Sequence, residues 1–181
     1  MDLVSQVNAS ITGTSTKPGD LGITPTTSVA ESISMTLADG VGASQSDLIV
    51  TLQNTIIASG DDDIDLSGSL SDYYGDSVVL AKIKAIFIKN TSDTQSSVTA
   101  AQIQVGGGTG GDGTNAFDTW VTSTAADGSE AVIIDAGGFI MVGNSTAAGY
   151  AVTAGTADIL HINNNTAEQA RYDLVIIGTT A

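Results

Sequence analysis

The chain predicts an all-β protein, an antiparallel β-sandwich, and three observations predict it. Residues 137–178 hold three apolar runs (139–142, 159–162 and 174–177) separated by turns rich in Gly, Asn and Thr. Of the 20 acidic residues, 17 are Asp, a poor helix-interior residue and a good turn residue. Finally, about ten segments of strand character recur at spacings near 8–12 residues, as in a sandwich or barrel. A jelly roll is the arrangement expected of such a chain.

Residues 1–28 read as an extended N-terminal arm. Both prolines, Pro18 and Pro25, fall there, and proline fixes φ and removes a donor. Leu3, Val7, Ile11, Leu21 and Ile23 give the arm apolar groups to bury on a neighbour. Residues 29–181 read as one sandwich domain of a size that buries a real core.

Within that domain, residues 31–38 alternate cleanly. Ile33, Met35 and Leu37 point one way, toward a core, and Ser32, Ser34 and Thr36 point the other. Asp39–Gly40 is a turn signal. Residues 47–53 follow, with Leu48, Val50 and Leu52 on one face. Residues 56–66 suggest a short strand broken by the acidic run. Residues 77–90 are long and apolar. Ile83, Ala85 and Phe87 share one face, and Lys82, Lys84, Ile86 and Ile88 share the other. A strand apolar on both faces is buried on both sides. Ile86, Ile88, Leu174 and Ile176 are therefore expected at an interface between subunits of a homo-oligomer. Residues 101–105, 117–121, 130–135, 139–142, 150–153, 158–163 and 172–178 complete the strands.

Most chemical motifs dissolve on inspection. Gly106, Gly108 and Gly111 fit the dinucleotide glycine spacing, but no helix pattern follows. Asp61, Asp63 and Asp65 stand at positions 1, 3 and 5 of a calcium-loop spacing, with Asp72 at position 12. Leu66 replaces the required glycine, and Asp72 the bidentate glutamate. The choice lies between a Ca²⁺ site and a solvated acidic turn, and these departures favour the turn. His161 is the single histidine and has no triad spacing around it. Trp120, Tyr73, Tyr74, Tyr150 and Tyr172 are too scattered for an obvious glycan platform. No catalytic residue and no cofactor is expected.

Charge narrows the partners. The formal net charge is −15, with five basic residues. Nucleic-acid binders need a basic footprint, so direct nucleic-acid contact is not expected. Lys82, Lys84 and Lys89 lie on one strand and are either a cationic spot for an acidic partner or lysines at exposed strand ends. There are no cysteines. MDLVSQVNAS has no basic and apolar signal regions, so no secretory signal is expected. No apolar run reaches the ~18 residues of a membrane helix.

The stretches AKIKAIFIKN, GGFIMVGN, GYAVTAGTADILHINN and YDLVIIGTT, within residues 77–181, resemble the jelly-roll capsid decoration (cement) proteins of tailed bacteriophages. The likeness lies in strand patterning and turns. It implies a non-enzymatic virion structural protein, a homotrimer on the outer capsid surface that binds the major capsid protein and bridges capsomers. The alternative is a phage tail or head-fibre component binding a host receptor or glycan. A glycan-binding module or glycan-active enzyme would need clustered aromatics and paired carboxylates.

Overall fold

In the computed structural model, the residues described are 3–18, 24–68, 70–92, 101–106, 115–121 and 131–181. Among them there is no helix. The strands are β1 (Ser5–Thr16), β2 (Thr26–Asp39), β3 (Gln45–Ser46), β4 (Leu48–Ile56), β5 (Asp61–Asp65), β6 (Leu70–Ser71) and β7 (Ser77–Val78). They continue as β8 (Lys82–Asn90), β9 (Ile103–Gly106), β10 (Ala131–Ile134), β11 (Phe139–Gly143), β12 (Tyr150–Ala151), β13 (Ile159–Asn163) and β14 (Ala170–Thr179).

Two antiparallel sheets form the body. One runs β10-β9-β13-β5, the other β11-β8-β14-β4, with β12 continuing the β11 edge of β8. Alternation then decides which side chains meet between them. Ile64, Ile103, Val105, Ile134, Leu160 and Ile162 come from the first sheet. Val50, Ile86, Ile88, Tyr172, Leu174 and Ile176 come from the second, and all twelve sit in one buried cluster. The all-β, sandwich-like expectation therefore stands.

Ile86, Ile88, Leu174 and Ile176 are at most 1% exposed in the single chain. Their burial has an intrachain cause: the opposing sheet covers them. They are not a subunit interface. The error was to read β8 as uniformly alternating. A β-bulge sets Gly178 opposite Ile83 but Ile177 opposite Ala85, leaving Lys84 as the extra residue. Ile83 and Ile86 thus both reach the main core, while Ala85 and Ile177 belong to a second cluster on the far side of the sheet.

The bulge also explains a buried lysine. The Lys84 side chain runs under two loops, and its amine donates to the carbonyls of Gly42, Thr146 and Ala147. Burial, then the nearby charge of Lys82, pushes its pKa down. Lys82, Lys84 and Lys89 therefore do not form one cationic surface, because Lys84 is internal and Lys89 exposed.

Two further expectations change. Residues 117–121 are a turn closing on a bridge between Ala116 and Ile159, not a strand. In β2 only Leu37 is buried and Met35 half-buried, while Ile33 is exposed.

Candidate functional site: a projecting ribbon and the sheet face at its base

β1 and β2 form a long antiparallel ribbon, in register from Ser5 opposite Leu37 to Thr16 opposite Thr26. The 12 residues of β1 correspond to roughly 40 Å at a rise of about 3.4 Å each. Residues 5–16 are thus a regular strand, and a boundary at residue 28 falls inside β2.

The register sorts the side chains strictly. Opposite residues share a face, so Val7, Ala9, Ile11 and Gly13 lie with Met35, Ile33, Glu31 and Val29. The reverse face carries Gln6, Asn8, Ser10, Thr12 and Thr14 against Thr36, Ser34, Ser32, Ala30 and Ser28. One face is apolar with a single acid; the other is hydroxyl and amide apart from Ala30. Such a ribbon is amphipathic, like a strand pair that lies on a core.

Only its base lies on one. Leu37 is buried with Ala85 and Ile177, and Val7, Met35 and Ile49 pack against them. At the foot, the Leu3 amide donates to Asp39 Oδ1 at 3.2 Å, and Ser46 and Ser5 hydroxyls meet at 3.5 Å. Beyond the base the apolar face is bare: Ile11 is 74% exposed, Ile33 69% and Val29 55%. An open groove of ≈ 290 Å³ runs along it between Ala9, Ile11, Glu31 and Ile33. Of the arm residues expected to dock, Leu3 and Val7 are half-buried at the base and Ile11 is on the bare face. Leu21 and Ile23 lie outside the described residues.

The outward face of the β11-β8-β14-β4 sheet continues from that base. Cross-strand pairs put Phe139 beside Lys89, Met141 beside Phe87, and Phe87 beside Val175. The rings of Phe87 and Phe139 are 6.0 Å apart. Phe139 is 66% exposed, and Phe87, Met141 and Val175 are half-exposed. Sequence reasoning missed this surface because it assigned the outward face of β8 to a core. The alternation of Val7, Ala9 and Ile11 against Asn8, Ser10 and Thr12 was the available signal for β1.

The acidic run is a strand, not a loop. Asp61–Asp65 pairs with Ile159–Asn163, so Asp61, Asp63 and Asp65 stand in a row about 6.7 Å apart rather than encircling a point. Two of the three carboxylates have other work. Asp63 Oδ1 lies 2.5 Å from His161 Nδ1, and Asp65 Oδ1 accepts from the Ser67 amide and hydroxyl. Asp72 is in a different turn, where it accepts from the amides of Tyr74 and Asp76. Among the described residues no three acidic or histidine side chains gather where an ion could sit.

His161 is buried behind its pairing with Asp63, and its Nε2 meets no polar partner among the described residues. Among the described residues no hydroxyl hydrogen-bonds to it. On the inner side, Asp62 Oδ2 accepts from the Tyr172 hydroxyl and the Asn54 amide at 2.6 Å each. Burial first, then the Asp62 carboxylate, pushes the Tyr172 phenol far above its usual range. Tyr73 and Tyr74 stand exposed near the ribbon base, edge to face at 5.7 Å.

No protein-family model matches the chain, and no curated protein matches its sequence. The crystal structure of Yersinia pseudotuberculosis-derived mitogen is similar over 72% of this chain and 86% of the mitogen, at 14% identity and a TM-score of 0.35. That likeness is too slight to bear on fold or function.

Proposed function

We propose that the chain is a non-enzymatic structural protein of a virion, a capsid decoration protein that binds the outer shell as a homo-oligomer and bridges capsomers. The observation that carries this reading is the amphipathic ribbon standing off a closed sandwich with most of its apolar face uncovered. A body with a filled core and a long adhesive projection suits mechanical bridging. The formal charge of −15 suits an outer surface, away from packaged nucleic acid. The resemblance of residues 77–181 to decoration proteins in strand patterning and turns supports the same reading.

Quantitative mass spectrometry of purified particles whose genome carries this gene tests it. The expected result is hundreds of copies per particle, released without loss of infectivity components that sit in the tail. Absence from particles overturns the proposal. One specific feature favours a second reading, a fibre component that binds a receptor or glycan: the exposed Tyr73–Tyr74 pair. Amphipathic aromatic rings of this kind serve binding surfaces. A handful of copies per particle selects that reading.

A further inference from the structure

We propose that the bare apolar face of the ribbon docks on a second copy of this chain, against the outward β11-β8-β14-β4 face around Phe87, Phe139, Met141 and Val175. The inference deepens the homo-oligomer part of the reading above and needs neither a shell nor a virion.

Continuity is the first ground. Within one chain, this same ribbon face already packs on this same sheet face, through Val7, Met35 and Leu37 on Ala85, Ile177 and Ile49. The two surfaces are complementary where they meet. Each then runs on uncovered: the ribbon through Ile33, Ile11 and Val29, the sheet to Phe139. A chain's own ribbon leaves its own Phe139 exposed, so a neighbour's ribbon is the matching cover.

Charge is the second ground. Copies carrying −15 each repel, so a self-contact must use surfaces poor in acid. The ribbon face has one charge beyond its base, Glu31, set opposite Ile11. The sheet face ends in Lys89, set opposite Phe139. Its acid, Asp173, stands opposite Lys89 on the other side and accepts from Gln53 Nε2 at 2.7 Å, and the exposed Arg171 adjoins Asp173 on the same face. Each surface thus places one charge beside its most exposed large side chain, and the two charges are opposite. Such a pair fixes register more than it adds affinity. Because the two patches differ, the contact closes as a reciprocal pair or as a ring of copies.

Light scattering after gel filtration of the full chain, at low salt, tests the idea. The expected result is an oligomer that Ile33→Asp and Phe139→Asp each convert to monomer, with the melting curve of the monomer unchanged. Glu31→Lys and Lys89→Glu should each weaken association several-fold, and the double reversal should restore it. The chain has no cysteines, so an I33C chain mixed with an F139C chain should form a mixed disulfide dimer on oxidation, beyond what either forms alone. A monomeric wild type overturns the inference, as does an oligomer indifferent to both aspartates. An oligomer broken by Ile33→Asp but not by Phe139→Asp also overturns it, since the ribbon then meets another surface. A ribbon-built oligomer absent from particles would sink only the decoration reading, and a monomer found in hundreds of copies would sink this inference and the homo-oligomer part of that reading while leaving decoration itself standing.

Discussion

The sandwich body and the ribbon are written in the same alternating code, yet the body closes over its apolar face and the ribbon leaves most of its own open. Leu174 and Ile33 are both β-branched or aliphatic residues in long antiparallel strands. Leu174 is fully buried, and Ile33 is 69% exposed. The difference lies in what stands opposite each, not in the strands. Alternation specifies that a face is apolar; a second layer specifies that it is core. A chain that keeps an apolar face without a second layer leaves it for something outside itself.

The largest expected effect breaks the body. Ile88→Asp places an unpaired carboxylate between the two sheets, where Ile88 has no exposure. Together with the lost packing it should cost more than about 4 kcal/mol. The cooperative thermal transition should vanish in circular dichroism. A folded Ile88→Asp monomer would instead return Ile88 to a subunit interface.

Next in size is a glycine pair that contrasts the regions directly. A Cβ on Gly178, beside the bulge, would lie 2.5 Å from the Lys82 carbonyl oxygen and 2.5 Å from Leu80 Cδ2. Backbone cannot yield cheaply, so Gly178→Ala should destabilise by about 1–3 kcal/mol. Gly13, in the ribbon, has nothing within 4 Å of the same position. Gly13→Ala should be neutral or stabilise by up to about 1 kcal/mol through the unfolded chain. Denaturant midpoints measure both, and equal losses would mean the ribbon is as tightly covered as the body.

Smaller again is Tyr172→Phe. It removes the hydroxyl donated to Asp62, which keeps Asn54 as a partner. The loss at neutral pH should be roughly 1 kcal/mol. Its pH dependence carries a sign. The phenol's pKa is raised in the folded state, so its contribution is whole below the unfolded value near 10 and declines as pH rises above it. Wild type should therefore lose stability in alkali more steeply than Tyr172→Phe. Parallel alkaline curves would remove Tyr172 as the cause.

Most of the body was legible because its signals are local. The run at 139–142 became β11, 158–163 became β13, and 172–178 lies within β14. What failed was relational. Nothing in SVVLAKIKAIFIKN marks a bulge at Lys84, because the bulge is a matter of register against Gly178. The Ile86/Ile88 face was therefore assigned to a partner chain when the opposing sheet covers it, and the outward face to a core when the ribbon base covers only part of it. The prolines drew residues 1–28 toward an extended arm separate from the sheets, although Pro18 and Pro25 flank the ribbon's far end and leave the ladder intact. The aspartate spacing of a calcium loop is also the spacing of one strand face, and pairing with β13 decided between them.

The smallest expected effect is the most telling about the ribbon. Ile11→Thr with Val29→Thr keeps β-branched side chains suited to a strand pair and removes only exposed apolar surface. In dilute monomer the pair should change stability by less than about 0.5 kcal/mol. The same substitutions should abolish self-association at higher concentration, where the ribbon face is covered by a neighbour. If instead the dilute monomer loses more than about 1 kcal/mol, the ribbon folds back on its own body in solution. Its apolar face would then be core in the ordinary sense, and the contrast between the two regions would close.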